Sequence, residues 1–164
     1  MTLRFIKLAL LLSLLLSSQA YALSVGQKAP DFTLKSFTGK NLRLAEQRGK
    51  IILLNFWATW CTPCRQEIPQ LNKIHQKYSR LGVSVWGVNI DKSDKVARSM
   101  ANQLNVSYPI LHDGNKSIGD TYSPTAMPYT LLIDRNGKIR KIYLGYVAGY
   151  EVKYEKDIRA LLKE

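Results

Sequence analysis

The fold is decided by the stretch FWATWCTPC, residues 56–64, which joins a buried strand to a helix at a pair of cysteines. Before the cysteines, residues 51–57 form a nearly continuous apolar run, which is typical of a strand buried on both faces of a sheet. After them, apolar side chains recur at steps of three and four over residues 64–81, which indicates an amphipathic helix ended by Gly82. Pro69 lies inside that helix, and we expect it to kink the helix.

The two cysteines are predicted to form a redox pair. Cys61 stands at the start of the helix, where unpaired N–H groups and the helix dipole stabilise a thiolate, the form that attacks disulfides. Cys64, one turn later on the inner face, is placed to resolve the mixed disulfide. Pro63 in the first turn removes no donor that the helix needs. A purely structural staple is a poor explanation, because so short a loop constrains an unfolded chain little.

Strands and helices alternate along the rest of the chain, which predicts an α/β sandwich with a mixed central sheet flanked by helices. An N-terminal β-hairpin precedes the strand at 51–57, and a helix and a strand are inserted after residue 90. The inner face of the inserted helix is predicted to contain Val96, Ala97, Met100, Ala101 and Leu104. The predicted strands are 31–35, 41–44, 51–57, 83–90, 108–111, 129–134 and 138–144, and the predicted helices are 61–81, 93–104, 118–122 and 149–163.

Residues 1–22 have the pattern of a secretory signal peptide. Arg4 and Lys7 precede a short apolar run, and Ala20-Tyr21-Ala22 provides a small-x-small cleavage site. The run has about half of the roughly 20 apolar residues that a membrane span needs, although an uncleaved anchor remains an alternative. Residues 23–164 then form one domain.

The chain is basic, with a formal net charge of +12 that falls to +10 without Arg4 and Lys7. Lysines and arginines are spread along the domain rather than clustered, which favours a soluble basic surface and argues against nucleic-acid binding. We expect a monomer.

The sequence around the cysteines resembles the active site of the thioredoxin superfamily. Its flanks, VGQKAPDF at 25–32, LNFW at 54–57 and RQEIP at 65–69, are similar to the TlpA/ResA-like branch of exported thioredoxins. The resemblance extends over nearly all of residues 25–162. It implies a thioredoxin-like fold and thiol–disulfide oxidoreductase activity, with the disulfide itself as the redox group and neither a cofactor nor a metal.

The resemblance also implies roles for further residues. Pro128 matches a cis-proline opposite the cysteines, which would leave the Met127 backbone free to pair with a substrate strand, and Trp60 is a candidate substrate contact. Cytosolic thioredoxins have a buried Asp where this chain has Asn55, which cannot titrate. Glu67 matches the carboxylate that the resembled branch has on the helix, where burial would raise its pKa toward neutrality and fit it for proton exchange. A solvated helix glutamate remains the alternative for Glu67.

The uncharged Thr62-Pro63 insert favours a reducing protein over an oxidase or isomerase. The expected partners are disulfide-bearing client proteins outside the cytoplasm, such as apocytochrome c, copper-site proteins or a disulfide isomerase. The expected electron donor is a membrane thiol–disulfide carrier, since NADPH is absent outside the cytoplasm.

Three other functions are weighed against this one. A peroxiredoxin needs Thr or Ser three residues before its reactive cysteine, where this chain has Ala58 before Cys61. A copper-delivery protein of the same fold has three residues between its cysteines plus a distant histidine, whereas only Thr62 and Pro63 separate Cys61 from Cys64. His75 and His112 match no zinc spacing with the cysteines.

Overall fold

The computed structural model describes residues 23–164, so the predicted signal peptide lies outside the described residues. This part of the chain forms seven strands, four α-helices and two 3₁₀ turns. In chain order they are β1 (Thr33–Lys35), β2 (Asn41–Arg43), a 3₁₀ turn (Leu44–Gln47), β3 (Ile51–Trp57), α1 (Thr62–Tyr78), a 3₁₀ turn (Ser79–Leu81), β4 (Val83–Asn89), α2 (Asp94–Gln103), β5 (Ile110–His112), α3 (Ser117–Tyr122), β6 (Tyr129–Ile133), β7 (Ile139–Leu144) and α4 (Tyr150–Leu162).

The central sheet has five strands in the order β5-β4-β3-β6-β7, and β1 and β2 form a separate antiparallel hairpin. β4 runs parallel to β3 and to β5, whereas β6 runs antiparallel to β3 and to β7. The sheet is therefore mixed, as predicted. The fold is thioredoxin-like, and β3, its middle strand, leads directly to the cysteines.

Alternate residues of β3 face two hydrophobic cores, because successive side chains of a strand point to opposite faces. Ile51, Leu53 and Trp57 pack on one side against α1, α2 and α4. Ile52 and Leu54 pack on the other side against β6, α3 and the N-terminal segment. Every residue of β3 is buried, which confirms the double-sided burial predicted from its apolar run.

The ends of α1 and α2 follow the local chemistry of their residues, and Gly82 ends the first helix region as predicted. Gly82 adopts a left-handed conformation with φ 87° after the 3₁₀ turn that extends α1. Asn105 is also left-handed, with φ 50°, just beyond α2. The Ser93 hydroxyl accepts a hydrogen bond from the Lys95 backbone N–H and caps α2.

Several details of the sequence prediction are wrong, including the start of β1, which is Thr33, and the place of Leu44, which lies in a 3₁₀ turn rather than in β2. Val96 is 57% exposed rather than on the inner face of α2, because that face is narrower and is formed mainly by Ala97 and Ala101. β5 begins at Ile110 rather than Tyr108, because Pro109 has no N–H for the ladder and Ile110 is the first residue in register with Gly87. No helix within residues 23–164 is long and apolar enough to span a membrane.

Candidate active site

Cys61 is the N-cap residue of α1. Its backbone is extended, with φ −89° and ψ 103°, and its Sγ accepts a hydrogen bond from the Cys64 backbone N–H at 3.2 Å. The sulfur therefore lies at the positive end of the helix, where a thiolate is stabilised once the disulfide is reduced. Pro63 lies in the first turn, as the sequence predicts.

Cys61 and Cys64 form a disulfide, and the two residues differ in accessibility. Cys64 is fully buried and Cys61 is 5% exposed. Cys61 is thus largely enclosed, because its sulfur is bonded to Cys64 and accepts the hydrogen bond from the Cys64 N–H. The neighbouring Trp60 is 65% exposed and provides the apolar surface beside the disulfide.

Glu67 lies one turn beyond Cys64 on α1 and is fully buried, so the alternative of a solvated glutamate is wrong. Its Oε1 accepts hydrogen bonds from the hydroxyls of Thr130, at 2.9 Å, and Tyr154, at 2.7 Å. Its Oε2 accepts a hydrogen bond from Asn55 Nδ2 at 2.8 Å. Side chains from β3, β6 and α4 thus donate hydrogen bonds to the carboxylate that α1 supplies.

Burial raises the pKa of Glu67 to about 7, even though the hydrogen bonds from Tyr154, Thr130 and Asn55 oppose the rise. Desolvation prevails because no cation among residues 23–164 pairs with the carboxylate, and three neutral donors only partly replace water. Glu67 can therefore gain or lose a proton near neutral pH, as its match to the resembled branch implied.

Asn55 holds this cluster together from the middle strand. Its Nδ2 also donates to Thr130 Oγ1 at 2.9 Å, while its Oδ1 is buried with no hydrogen-bond partner among residues 23–164. Asn55 Oδ1 can therefore accept a hydrogen bond from a new donor, such as the O–H of protonated Glu67 or a thiol formed when the disulfide is reduced.

The peptide between Met127 and Pro128 is cis, as predicted. Pro128 immediately precedes β6, and its carbonyl accepts a hydrogen bond from Gly145 N–H at 2.8 Å. Tyr129, the next residue, is in register with Phe56 near the end of β3. The Met127–Pro128 segment consequently lies at the same end of the sheet as the cysteines, with Met127 partly exposed.

Sequence reasoning did not identify Thr130 and Tyr154 as partners of Glu67. They lie 63 and 87 residues from it along the chain, and no local pattern pairs positions so far apart. Tyr154 is fully buried on the inner face of α4, but nothing in the spacing of that helix indicates its hydroxyl contact with Glu67. The only available signal was the pairing of Asn55 with Thr130, which a prediction of strand register would have supplied.

The two histidines lie apart from the cysteines. His75 packs its ring 6.1 Å from the ring of Tyr108, and burial lowers the pKa of His75. His112 Nε2 lies 2.9 Å from the backbone oxygen of Asp91. Within residues 23–164, no three side chains of His, Cys, Asp or Glu are arranged to hold a metal ion.

A thioredoxin-like fold that carries a Cys-x-x-Cys disulfide at a helix N-terminus defines a thiol–disulfide oxidoreductase. The chain belongs to the AhpC/TSA family, whose sequence profile matches residues 25–142. It is 36% identical over 132 residues to the thiol-disulfide oxidoreductase ResA of Geobacillus thermodenitrificans, covering 80% of this chain and 76% of ResA. It is 38% identical over 144 residues to the thioredoxin-like protein YneN of Bacillus subtilis, covering 87% of this chain and 84% of YneN.

Solved structures agree with this assignment. A Chlorobium tepidum structure assigned as a thiol:disulfide interchange protein, DsbE, superposes with a TM-score of 0.82 at 35% identity, covering 86% of this chain and 99% of that one. A Bacteroides thetaiotaomicron structure assigned as a protein disulfide isomerase has a TM-score of 0.81 at 31% identity, covering 88% of this chain and 93% of that one. The protein is thus a thiol–disulfide oxidoreductase of the ResA and DsbE type.

Proposed function

We propose that the protein is exported and reduces disulfides of client proteins outside the cytoplasm, using the dithiol of Cys61 and Cys64. The observation that carries the proposal is the position of Cys61 Sγ at the N-cap of α1, with the fully buried Cys64 one turn behind it. Such an arrangement supplies one attacking thiolate and one protected resolving thiol.

The reaction transfers two electrons and two protons to the client. The Cys61 thiolate attacks one sulfur of the client disulfide, a mixed disulfide forms, and the other client sulfur leaves as a thiolate that takes up a proton. Cys64 then loses its proton and attacks the sulfur of Cys61, which releases the second client thiol. The Cys61–Cys64 disulfide remains, and no cofactor besides the cysteines takes part.

Glu67 is proposed to accept the proton of Cys64. A base that serves this step near neutral pH works best with a pKa near that pH, and burial raises the pKa of Glu67 to about 7. Glu67 shares the inner face of α1 with Cys64, three residues away, and residues at that spacing are neighbours on a helix.

The client is proposed to bind over Trp60, Met127 and Pro128. Trp60 is the most exposed of the large apolar side chains close in sequence to the cysteines. The cis peptide at Met127–Pro128 lies at the same end of the sheet. An extended client segment can pair with the Met127 backbone while its disulfide faces Cys61.

An oxidase or isomerase role is the second candidate, and the disulfide isomerase assignment of the Bacteroides structure favours it. The Thr62-Pro63 insert favours reduction, because it brings no cation between the cysteines to stabilise the thiolate further. The proposed export rests on the charged, apolar and small-residue pattern of residues 1–22. The proposed donor that restores the dithiol is a membrane thiol–disulfide carrier.

A trapping experiment tests the assignment of the two cysteines. In the Cys64→Ser protein, Cys61 can still attack a client disulfide. The mixed disulfide then persists, because the protein has no second thiol to resolve it. We expect client adducts that survive non-reducing electrophoresis and that mass spectrometry identifies after reduction. Their identity would separate apocytochrome c, copper-site proteins and a disulfide isomerase as clients.

The matched control is Cys61→Ser, whose remaining thiol is fully buried. Both variants are expressed with residues 1–22 in place, so that they reach the compartment of the natural protein. If the Cys64→Ser protein accumulates no more adducts than the control, the attacking and resolving roles are wrongly assigned.

A further inference from the structure

The loop that carries Trp60 and Cys61 is hydrogen-bonded to the carboxylate of Asp91, which follows the C-terminal end of β4. Asp91 Oδ2 accepts a hydrogen bond from the Thr59 backbone N–H at 2.9 Å, and Asp91 Oδ1 accepts one from the Thr59 hydroxyl at 3.1 Å. A two-point contact of this kind fixes both the position and the orientation of Thr59. Thr59 directly precedes Trp60 and Cys61 in the chain. Once Thr59 is held, only the backbone dihedral angles of these residues can change the position of Cys61.

Asp91 is itself held from two neighbouring strands. Asn89, the last residue of β4, donates from Nδ2 to Asp91 Oδ2 at 2.7 Å and accepts the Asp91 N–H through its Oδ1 at 3.2 Å. His112, the last residue of β5, places Nε2 2.9 Å from the Asp91 backbone oxygen. The carboxylate is thus an extension of the rigid sheet rather than a free loop side chain.

Arg65 of α1 also contacts this loop. Its Nη2 donates to Thr62 Oγ1 at 3.1 Å, and its Nη1 donates to the Thr59 carbonyl at 3.4 Å. The second contact is long and weak, and the side chain is exposed, so Arg65 holds the loop less firmly than Asp91 does.

We propose that Asp91 is a positioning residue for the reaction at Cys61: it holds Thr59 so that Cys61 stays at the N-cap of α1 and Trp60 stays presented to the client. The inference rests on the proposed attack by Cys61, but not on the direction of electron flow. If the contact is lost, the loop loosens, Cys61 Sγ leaves the helix N-terminus for part of the time, and the thiolate loses stabilisation.

Asp91 can change the pKa of Cys61 in two ways that have opposite signs. The direction of the measured pKa change therefore distinguishes them. The charged and titratable groups that contact the loop or Asp91 are Arg65 from α1, Asp91 after β4, and His112 from β5. A nearby negative charge disfavours a thiolate, so removing the Asp91 charge alone would lower the pKa of Cys61. Releasing the loop would instead raise it, because the helix N-terminus no longer stabilises the thiolate.

The test compares Asp91→Asn and Thr59→Val with the parent protein in the reduced state. The amide in Asp91→Asn cannot accept all three hydrogen bonds, and Thr59→Val removes the hydroxyl contact without changing charge. The pH dependence of Cys61 alkylation gives its pKa, and reduction of a protein disulfide gives kcat/KM. For Asp91→Asn we expect the pKa to rise by about half a unit and kcat/KM to fall about tenfold, since small misplacements of a reacting group cost rate. Thr59→Val should change both in the same direction by less.

The controls separate positioning from charge and from folding. Asp94→Asn removes an equal charge three residues away, where the carboxylate pairs with Arg98 and does not touch Thr59, and it should leave kcat/KM unchanged. Thr59→Ser keeps the hydroxyl and should retain the parent values. A lowered or unchanged pKa in Asp91→Asn, together with parent behaviour in Thr59→Val, would overturn the proposal. A parent pKa no lower than that of free cysteine would instead count against the proposed attack by Cys61.

Discussion

At the scale of single residues, Glu67 combines complete burial with three hydrogen-bond donors, and the described part of the chain places no cation beside it. Its carboxylate is bound by Asn55, Thr130 and Tyr154, and its pKa is raised to about 7 by burial. When Glu67 takes up a proton, the new O–H needs an acceptor nearby, and Asn55 Oδ1 is one that is free among the described residues. The hydroxyls of Thr130 and Tyr154 can also rotate to accept it, whereas Asn55 Nδ2 cannot. The cluster therefore accommodates both protonation states.

Glu67→Gln should change the pH dependence of client reduction. In the parent, the resolving step should accelerate as pH rises through about 7, because Glu67 becomes a base that accepts the Cys64 proton. The variant should lose this titration and be slower by about tenfold or more near neutral pH, since a positioned base contributes at least that much. Rates of mixed-disulfide resolution measured across pH check this. Identical profiles for parent and variant would exclude Glu67 as the proton acceptor.

The same substitution should alter the pH dependence of stability in the oxidised protein, where the cysteines do not titrate. A carboxyl with a raised folded-state pKa stabilises the native state below its unfolded pKa of 4.5, and this stability is lost as pH rises through about 7. The parent should lose up to about 3 kcal/mol of unfolding free energy from this group across that window. Glu67→Gln should lack the loss, while the control Glu46→Gln, at an exposed site, should retain it. Denaturant unfolding at several pH values measures the difference.

At the scale of elements, the junction between α1 and β4 depends on Gly82. Its φ of 87° lies in the left-handed region, and a Cβ built there would have no atom within 4 Å. Gly82→Ala should therefore destabilise the fold through backbone conformation alone, by about 1–2 kcal/mol. Arg80→Ala, at an exposed site in the same turn, should stay within about 0.5 kcal/mol of the parent. Equal stabilities for the two variants, measured by thermal or denaturant unfolding, would contradict this account of the turn.

Elements whose signals are local could be predicted from the sequence, and contacts between distant elements could not. The bounds of β3 are correct because its apolar run is nearly continuous, and Gly82 ends its helix as predicted. The 3₁₀ turn at Leu44–Gln47 was not predicted, because only Leu44 in it is buried and no periodic pattern marks it. Val96 was misplaced because helical spacing alone does not define how wide the buried face is.

The same division applies to the candidate site. The cysteines, Glu67 and the cis peptide before Pro128 were predicted from their own motifs and the resemblance that those motifs carry. The partners that set the environment of Glu67 arrive from β6 and α4, and Asp91 reaches the active-site loop from the end of β4. These contacts depend on strand register and helix packing, which a single sequence does not specify.

At the scale of the whole molecule, the sheet brings the parts of the site to one end. β3 leads to Cys61, the segment after β4 supplies Asp91, and Pro128 precedes β6. β3 and β4 are parallel, so both end at this edge, and the antiparallel β6 begins there. The fold thus gathers the redox pair, its loop support and the cis-proline without any of them being close in sequence.

The central claim, that this protein reduces its clients, is tested most directly by the equilibrium potential of the Cys61–Cys64 pair. The purified protein is equilibrated with glutathione or dithiothreitol buffers, and the thiol fraction is read by alkylation. Because Thr62-Pro63 places no charge beside the thiolate, we expect a potential nearer the reducing thioredoxins, at about −270 mV, than the strongly oxidising periplasmic proteins, at about −120 mV. A potential above roughly −160 mV would contradict the account and indicate an oxidase.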